Sequence, residues 1–168
     1  EFPKGFAVRV PEGEVARRIA AVGAAIDHVL GERKRQISGQ MGGRIVQRER
    51  RRAVWLDRQE IQLEVAREGE AIAIRFIDAE GKAGNAHLLA SPWKPGDAVW
   101  QGTIDGQFVA LQARPIPNGI RLAHQGVEVP VYVWTEAEAA SARLMPVTTA
   151  SDSGKKLLCP MPGLVVSI

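Results

Sequence analysis

From Glu14 onward apolar residues recur at helical spacing: Val15, Ile19, Val22, Ile26, then Val29 or Leu30. The pattern predicts a helix over about 11–34, with Pro11 in its first turn, where the missing N–H costs nothing. Ile19 to Ile26 carries no polar side chain (Ile-Ala-Ala-Val-Gly-Ala-Ala-Ile). A helix apolar on every side must be buried on every side, and its alanines and Gly23 let neighbouring backbone come close. The period then falls to two. Ile61, Leu63 and Val65 alternate with Gln62, Glu64 and Ala66 as in a half-buried strand. Further strands are expected at 53–57, 71–77, 83–90, 98–104, 107–114, 119–124 and 127–134. Short turns separate them, at Glu68-Gly69, Asp78–Gly81, Pro117-Asn118-Gly119 and Gln125-Gly126. Asp105-Gly106 is the sharpest of these, a two-residue hairpin signal. Such short connections imply antiparallel pairing, since parallel neighbours need long crossovers.

Eight antiparallel strands and one all-round apolar helix specify an α+β fold. We expect an eight-stranded antiparallel β-barrel wrapped around one long apolar helix, with the helix first in sequence. Closure removes the exposed sheet edges. A lumen filled by the helix leaves no room for a small ligand. The alternative, a helix on an open sheet, predicts a polar stripe along the helix, and none interrupts the run before Asp27. A short helix over 136–145 follows the strands. The small polar stretch after it (Val-Thr-Thr-Ala-Ser-Asp-Ser-Gly-Lys) is expected to be a flexible linker. The chain thus divides into a helix-and-strand domain over 1–146, a linker over 147–156 and the start of another domain over 157–168. With Glu as its first residue, it looks like a piece of a longer protein.

Charge changes the picture more than overall composition does. The net charge is +3, but the segment from Gly31 to Arg52 holds eight cations and two anions. Such asymmetry marks a contact surface or a solvated loop. A nucleic-acid-binding basic barrel is one reading. It would interleave aromatic residues with the cations to stack bases, and this segment contains none. The single cysteine, Cys159, excludes an internal disulfide framework and suits a reducing compartment. The longest apolar run is too short to cross a bilayer. His28, His87 and His124 are scattered, without metal-ligand spacing. Gly39–Gly43 lacks the Lys-Ser/Thr of a phosphate loop. Glu60, Glu64 and Glu68 fit a solvated strand face. No catalytic or metal site is predicted, which favours a binding or docking module. Trp55, Trp93, Trp100 and Trp134 are expected in the barrel core or rim, with Trp93, in the Ser91–Asp97 loop, the candidate partner contact.

The chain ends on Cys159-Pro160-Met161-Pro162-Gly163-Leu164-Val165-Val166-Ser167-Ile168 and opens on Glu1-Phe2-Pro3-Lys4-Gly5-Phe6. The Pro-Met-Pro-Gly turn and apolar strand look like the opening of a biotinyl carrier domain. With the Phe-Pro-Lys-Gly-Phe entrance, the long helix and the eight-strand pattern, the whole chain resembles one region of the biotin-dependent acyl-CoA carboxylases. That region lies between the biotin carboxylase and biotin carrier domains of the α subunit. The entrance favours the propionyl-CoA type over the methylcrotonyl-CoA type. The resemblance implies a non-catalytic helix-in-barrel domain that joins the α subunit to a carboxyltransferase β subunit in a hetero-oligomer of α and β subunits, with no nucleic acid or membrane partner. It further implies a docking hook between the helix and the first strand, here about 35–52. The expected partner-binding residues are Arg35, Gln36, Ile37, Ser38, Gly39, Gln40, Met41, Gly42, Gly43, Arg44, Ile45, Val46 and Arg48. Met41 between glycines suits an adaptable contact with accessible backbone, and the arginines a polar rim. The implied cofactors belong to the parent α subunit: ATP, Mg and bicarbonate, and covalent biotin. The family's biotinyl lysine lies between two methionines, and no lysine of this chain has a Met neighbour, so it is expected after Ile168. The implied location is the cytoplasm of a bacterium or the mitochondrial matrix of a eukaryote.

Overall fold

The structure, a computed structural model, describes residues 10–37, 49–57 and 59–146. Helix α1 spans Gly13–Ile37. It starts after Pro11 and runs three residues past the expected end. The reason is local: Arg33, Lys34, Arg35 and Gln36 are good helix formers, and cations in a last turn complement the helix dipole. Arg35, Gln36 and Ile37, expected in a loop, are therefore helical. Eight strands follow: β1 (Arg51–Leu56), β2 (Gln59–Glu68), β3 (Ala71–Ile77), β4 (Ala83–Ala90), β5 (Val99–Ile104), β6 (Gln107–Ile116), β7 (Gly119–His124) and β8 (Val127–Trp134). A second helix, α2, spans Glu136–Arg143.

Each strand pairs antiparallel with its sequence neighbour, and β8 pairs back onto β1 through Ala53↔Trp134 and Val54↔Val133, closing a barrel. Asp105 and Gly106 join β5 to β6 with φ of 51° and 79°, and Ile104↔Gln107 is the closing pair. Two positive φ values match the twist of the flanking strands, and Gly and Asp tolerate that region best. Strand β1 begins at Arg51, two residues earlier than expected, because the alternation extends into the basic segment. Arg51 faces outward, 3.4 Å from Glu64 and 3.6 Å from Glu136, whereas Arg52 is buried.

All residues from Ile19 to Ile26 are buried. They belong to one apolar cluster with Val54, Leu63, Ile74, Leu89, Trp100, Leu111, Leu122 and Val131, so every strand contributes to the core around α1. Full burial of each such Leu, Ile or Val side chain is worth about 1.5–3 kcal/mol. Gly23 marks the closest approach: a Cβ there would lie 2.7 Å from Val131 Cγ1. The packing is uneven. Helix α1 lies mainly against β1, β2, β3, β7 and β8. The opposite wall has the thinnest seam, where β4 and β5 are in register only through Leu89↔Ile104 and Ala90↔Thr103. Outside the barrel, α2 packs on β1 and β8. A capping box starts it: Glu138 N–H donates to Thr135 Oγ1 at 3.2 Å, and Thr135 N–H donates to Glu138 Oε2 at 2.8 Å. Arg143 Nε donates to Glu60 Oε2 at 3.1 Å and ties its last turn to β2.

Candidate functional site

Two groups of partnered polar side chains lie at the two ends of α1. At the C-terminal end they hold the helix to the barrel rim. Arg52 Nε lies 3.9 Å from Asp27 Oδ2, and Arg52 Nη1 donates to the Arg51 carbonyl at 2.7 Å. One turn on, Arg67 Nε donates to Glu32 Oε1 at 3.0 Å and Arg67 Nη2 donates to Glu32 Oε2 at 2.5 Å. This forked guanidinium–carboxylate geometry fixes direction as well as distance. His28 Nε2 completes the group at 3.3 Å from Glu32 Oε1. The Arg67 hydrogen bond holds the Glu32 carboxyl below its ordinary value of 4.5, against partial burial, with smaller contributions from His28 and Arg35.

This network fixes where the chain leaves the helix and where it re-enters the sheet at Arg51. Of the thirteen expected docking residues, Arg35, Gln36 and Ile37 lie in the last turn of α1. Ser38, Gly39, Gln40, Met41, Gly42, Gly43, Arg44, Ile45, Val46 and Arg48 lie outside the described residues, as do the entrance segment, the linker and the Pro-Met-Pro-Gly terminus. The four tryptophans divide between the two surfaces of the wall. Trp100 is in the core and Trp93 packs against it, with Trp93 Nε1 donating to the Asp97 carbonyl at 3.1 Å. Between them and Ala25, Val29, Ile72 and Leu89 remains a void of about 40 Å³. Trp93 is thus a rim plug, not a protruding contact. Trp55 and Trp134 are half-buried, with ring centroids 5.2 Å apart, and Tyr132 stacks beyond them.

The N-terminal end departs from the expectation of a filled lumen. A cleft of about 310 Å³ opens there between α1 and the wall of β3, β4, β5 and β6. Its apolar floor is Ala21, Phe76, Ile104 and Val109; its rim is Glu14, Arg17, Arg18, His87, Asp105 and Gln107. The cause is geometric. The helix leans on the other wall, and on this side the β4–β5 ladder is short. Asp105 bridges the gap: its Oδ1 accepts from Leu88 N–H at 2.8 Å, its Oδ2 lies 2.7 Å from His87 Nδ1, and its own N–H donates to the Leu88 carbonyl at 3.0 Å. His87 holds the Asp105 carboxyl below its ordinary value of 3.8; partial burial opposes this and the Leu88 N–H assists. Sequence reading names the Asp105-Gly106 turn but not this role. Eighteen residues separate Asp105 from His87, and no spacing signal connects them until the strands are paired.

Among the described residues no group of three or more His, Cys, Asp or Glu side chains could hold a metal ion, and no helix is long and apolar enough to cross a membrane. A family model for the propionyl-coenzyme A carboxylase BT domain matches residues 19–148. The propionyl-CoA carboxylase alpha chain of Ruegeria pomeroyi is 33% identical over 169 residues, which take in 100% of this chain and 24% of that protein. The chain therefore spans about a quarter of the length of the curated relative it matches.

Proposed function

The chain belongs to the propionyl-coenzyme A carboxylase BT-domain family, and on that premise we propose that it is the docking domain of a biotin-dependent acyl-CoA carboxylase α chain. It does no chemistry itself. Its partner is the carboxyltransferase β subunit of the same enzyme, and its task is geometric. It holds the two subunits so that a carboxyl group activated on the α chain, at the expense of ATP with Mg and bicarbonate, reaches propionyl-CoA on the β subunit. A tether of fixed origin raises the effective concentration of its cargo at the second site without any new contact. We read the barrel as wrapped around α1, a rigid post for the tether. Biotin belongs beyond Ile168, since no lysine of this chain has a Met neighbour. The assembly works in the bacterial cytoplasm or, in a eukaryote, in the mitochondrial matrix.

The family match carries this reading: it spans residues 19–148, from the second turn of α1 across the helix-to-strand connection and past α2. The partner-binding residues are assigned to that connection, from Arg35 to Arg48, with Met41 at its apolar centre and arginines around it. The network at the C-terminal end of α1 supports the assignment, because a docking segment needs fixed ends. Among the described cations of the basic segment, Arg51 and Arg52 are engaged within the domain, which weakens the nucleic-acid alternative further.

Because Arg35 to Ile37 are helical, the test replaces 38–48 alone, with Gly and Ser at equal length, in the full α chain. Co-purification with the β subunit should be lost, by about a hundredfold or more in affinity. Thermal stability and the biotin carboxylase activity of the α chain should be unchanged. Intact assembly after the replacement would contradict the proposal.

A further inference from the structure

The cleft at the N-terminal end of α1 plays no part in the docking reading, and its polar groups are unequally satisfied. Arg18 is paired with Glu14 and lies 3.4 Å from Gln107 Oε1. Both Asp105 oxygens are engaged, by His87 Nδ1 and by Leu88 N–H. The two carboxylates of the rim are therefore in use. Arg17 differs: its guanidinium carbon sits 5.2 Å from the centroid of the Phe76 ring, and it has no carboxylate partner among the described residues. The ring of His87 meets the same Phe76 edge-on, with centroids 5.5 Å apart. With Nδ1 committed to Asp105, Nε2 is the imidazole atom left for a ligand. One unsatisfied fork of donors and one ring nitrogen thus flank a single aromatic face, above a floor of Ala21, Ile104 and Val109.

We propose that this cleft binds a small monocarboxylate with an apolar, preferably aromatic, body. Arg17 takes the two carboxylate oxygens side by side, as a guanidinium fork does best. The body of the ligand lies against Phe76, Ile104 and Val109. Glu14 and Asp105 on the rim set the charge limit: a second negative charge on the ligand would face two carboxylates, so a phosphate dianion is disfavoured. At about 310 Å³ the cleft is at the small end of ligand sites, and a single ring suffices to fill its floor.

The test is amide chemical-shift titration of the full chain with benzoate, acetate and inorganic phosphate at constant ionic strength. Benzoate should shift the amides of Phe76, His87, Ile104 and Val109 saturably, with half-saturation on the order of 1 mM, as befits so few ligand atoms. Acetate and phosphate should bind at least about tenfold more weakly. Arg17→Gln should weaken benzoate about tenfold or more. Arg121→Gln, a change on the outside of the barrel, should leave it unaltered. Arg17 is exposed, so its replacement spares the core. No saturable shift with benzoate, phosphate binding as tightly as benzoate, or equal binding by Arg17→Gln would each overturn the proposal.

Discussion

At the C-terminal end of α1, Trp100 and Trp93 plug the barrel and leave about 40 Å³ unfilled, whereas at the N-terminal end about 310 Å³ stands open and a single carboxylate, Asp105, bridges the gap between β4 and β5. Both ends belong to one closed ring and one helix, so topology does not account for the contrast. Side-chain volume and ladder length do. Indoles fill the plugged end, and the forked Glu32–Arg67 pair fixes the helix there. At the open end the floor is made of smaller groups, and polar side chains stand where a plug would be. A barrel built around a post can be stiff at one mouth and receptive at the other. Under the proposals above, the stiff end carries the docking segment and the open end the ligand cleft.

The contrast can be broken first by volume. Trp100→Ala at the plugged end should cost about 3–5 kcal/mol in urea unfolding, since Trp100 is only 2% exposed and its removal empties a packed site. Val109→Ala on the floor of the open cleft should cost about 1.5 kcal/mol or less, because part of its surface borders space already present. Equal costs would show that the two ends are packed alike. Asp105→Asn comes next. It keeps a residue that tolerates φ of 51° but gives up the charge on both of its contacts, and should lower stability by about 1 kcal/mol. Hydrogen exchange should then rise at Leu88 and Ile104 and not at Trp100.

The smallest effect is expected at the rim of the plugged end. Glu32→Gln should cost under about 1 kcal/mol at pH 7, the pair being partly solvent-screened. Its value lies in the pH dependence. Arg67 depresses the folded-state pKa of Glu32 below 4.5, so the pair stabilises fully above that pH and loses its contribution as pH falls through the folded value. Wild type and variant should therefore differ at neutral pH and converge in acid. A constant difference from pH 7 to the acid limit would mean that the carboxylate charge is not what the pair supplies.

Much of this was legible in the sequence, for identifiable reasons. The Ile19–Ile26 run names a buried helix because no face of it tolerates water, and Asp105-Gly106 names a hairpin because few other pairs accept two positive φ values. The helix end was less legible. Arg35 and Gln36 fall in the expected loop, yet each is a good helix former, and the helix continues through Ile37. Arg51 and Arg52 look like more of that loop until the strand alternation sends one outward to Glu64 and the other inward toward Asp27. The cleft was not legible at all. It depends on how far α1 leans from one wall, and its rim joins Arg17, His87 and Asp105 from three distant points of the chain. The residues assigned to docking lie mostly outside the described structure, and their assignment rests on the family and the basic, glycine-flanked pattern.

Docking through the helix-to-strand connection is the central claim, and hydrogen–deuterium exchange of the full α chain with and without the carboxyltransferase β subunit tests it most directly. The account predicts that the strongest new protection falls on peptides covering residues 35–48, with little change on the outer face of β4 to β6 around Leu88 and Phe108. Protection concentrated on that outer face, with 35–48 exchanging as fast in the complex as in the free chain, would contradict it.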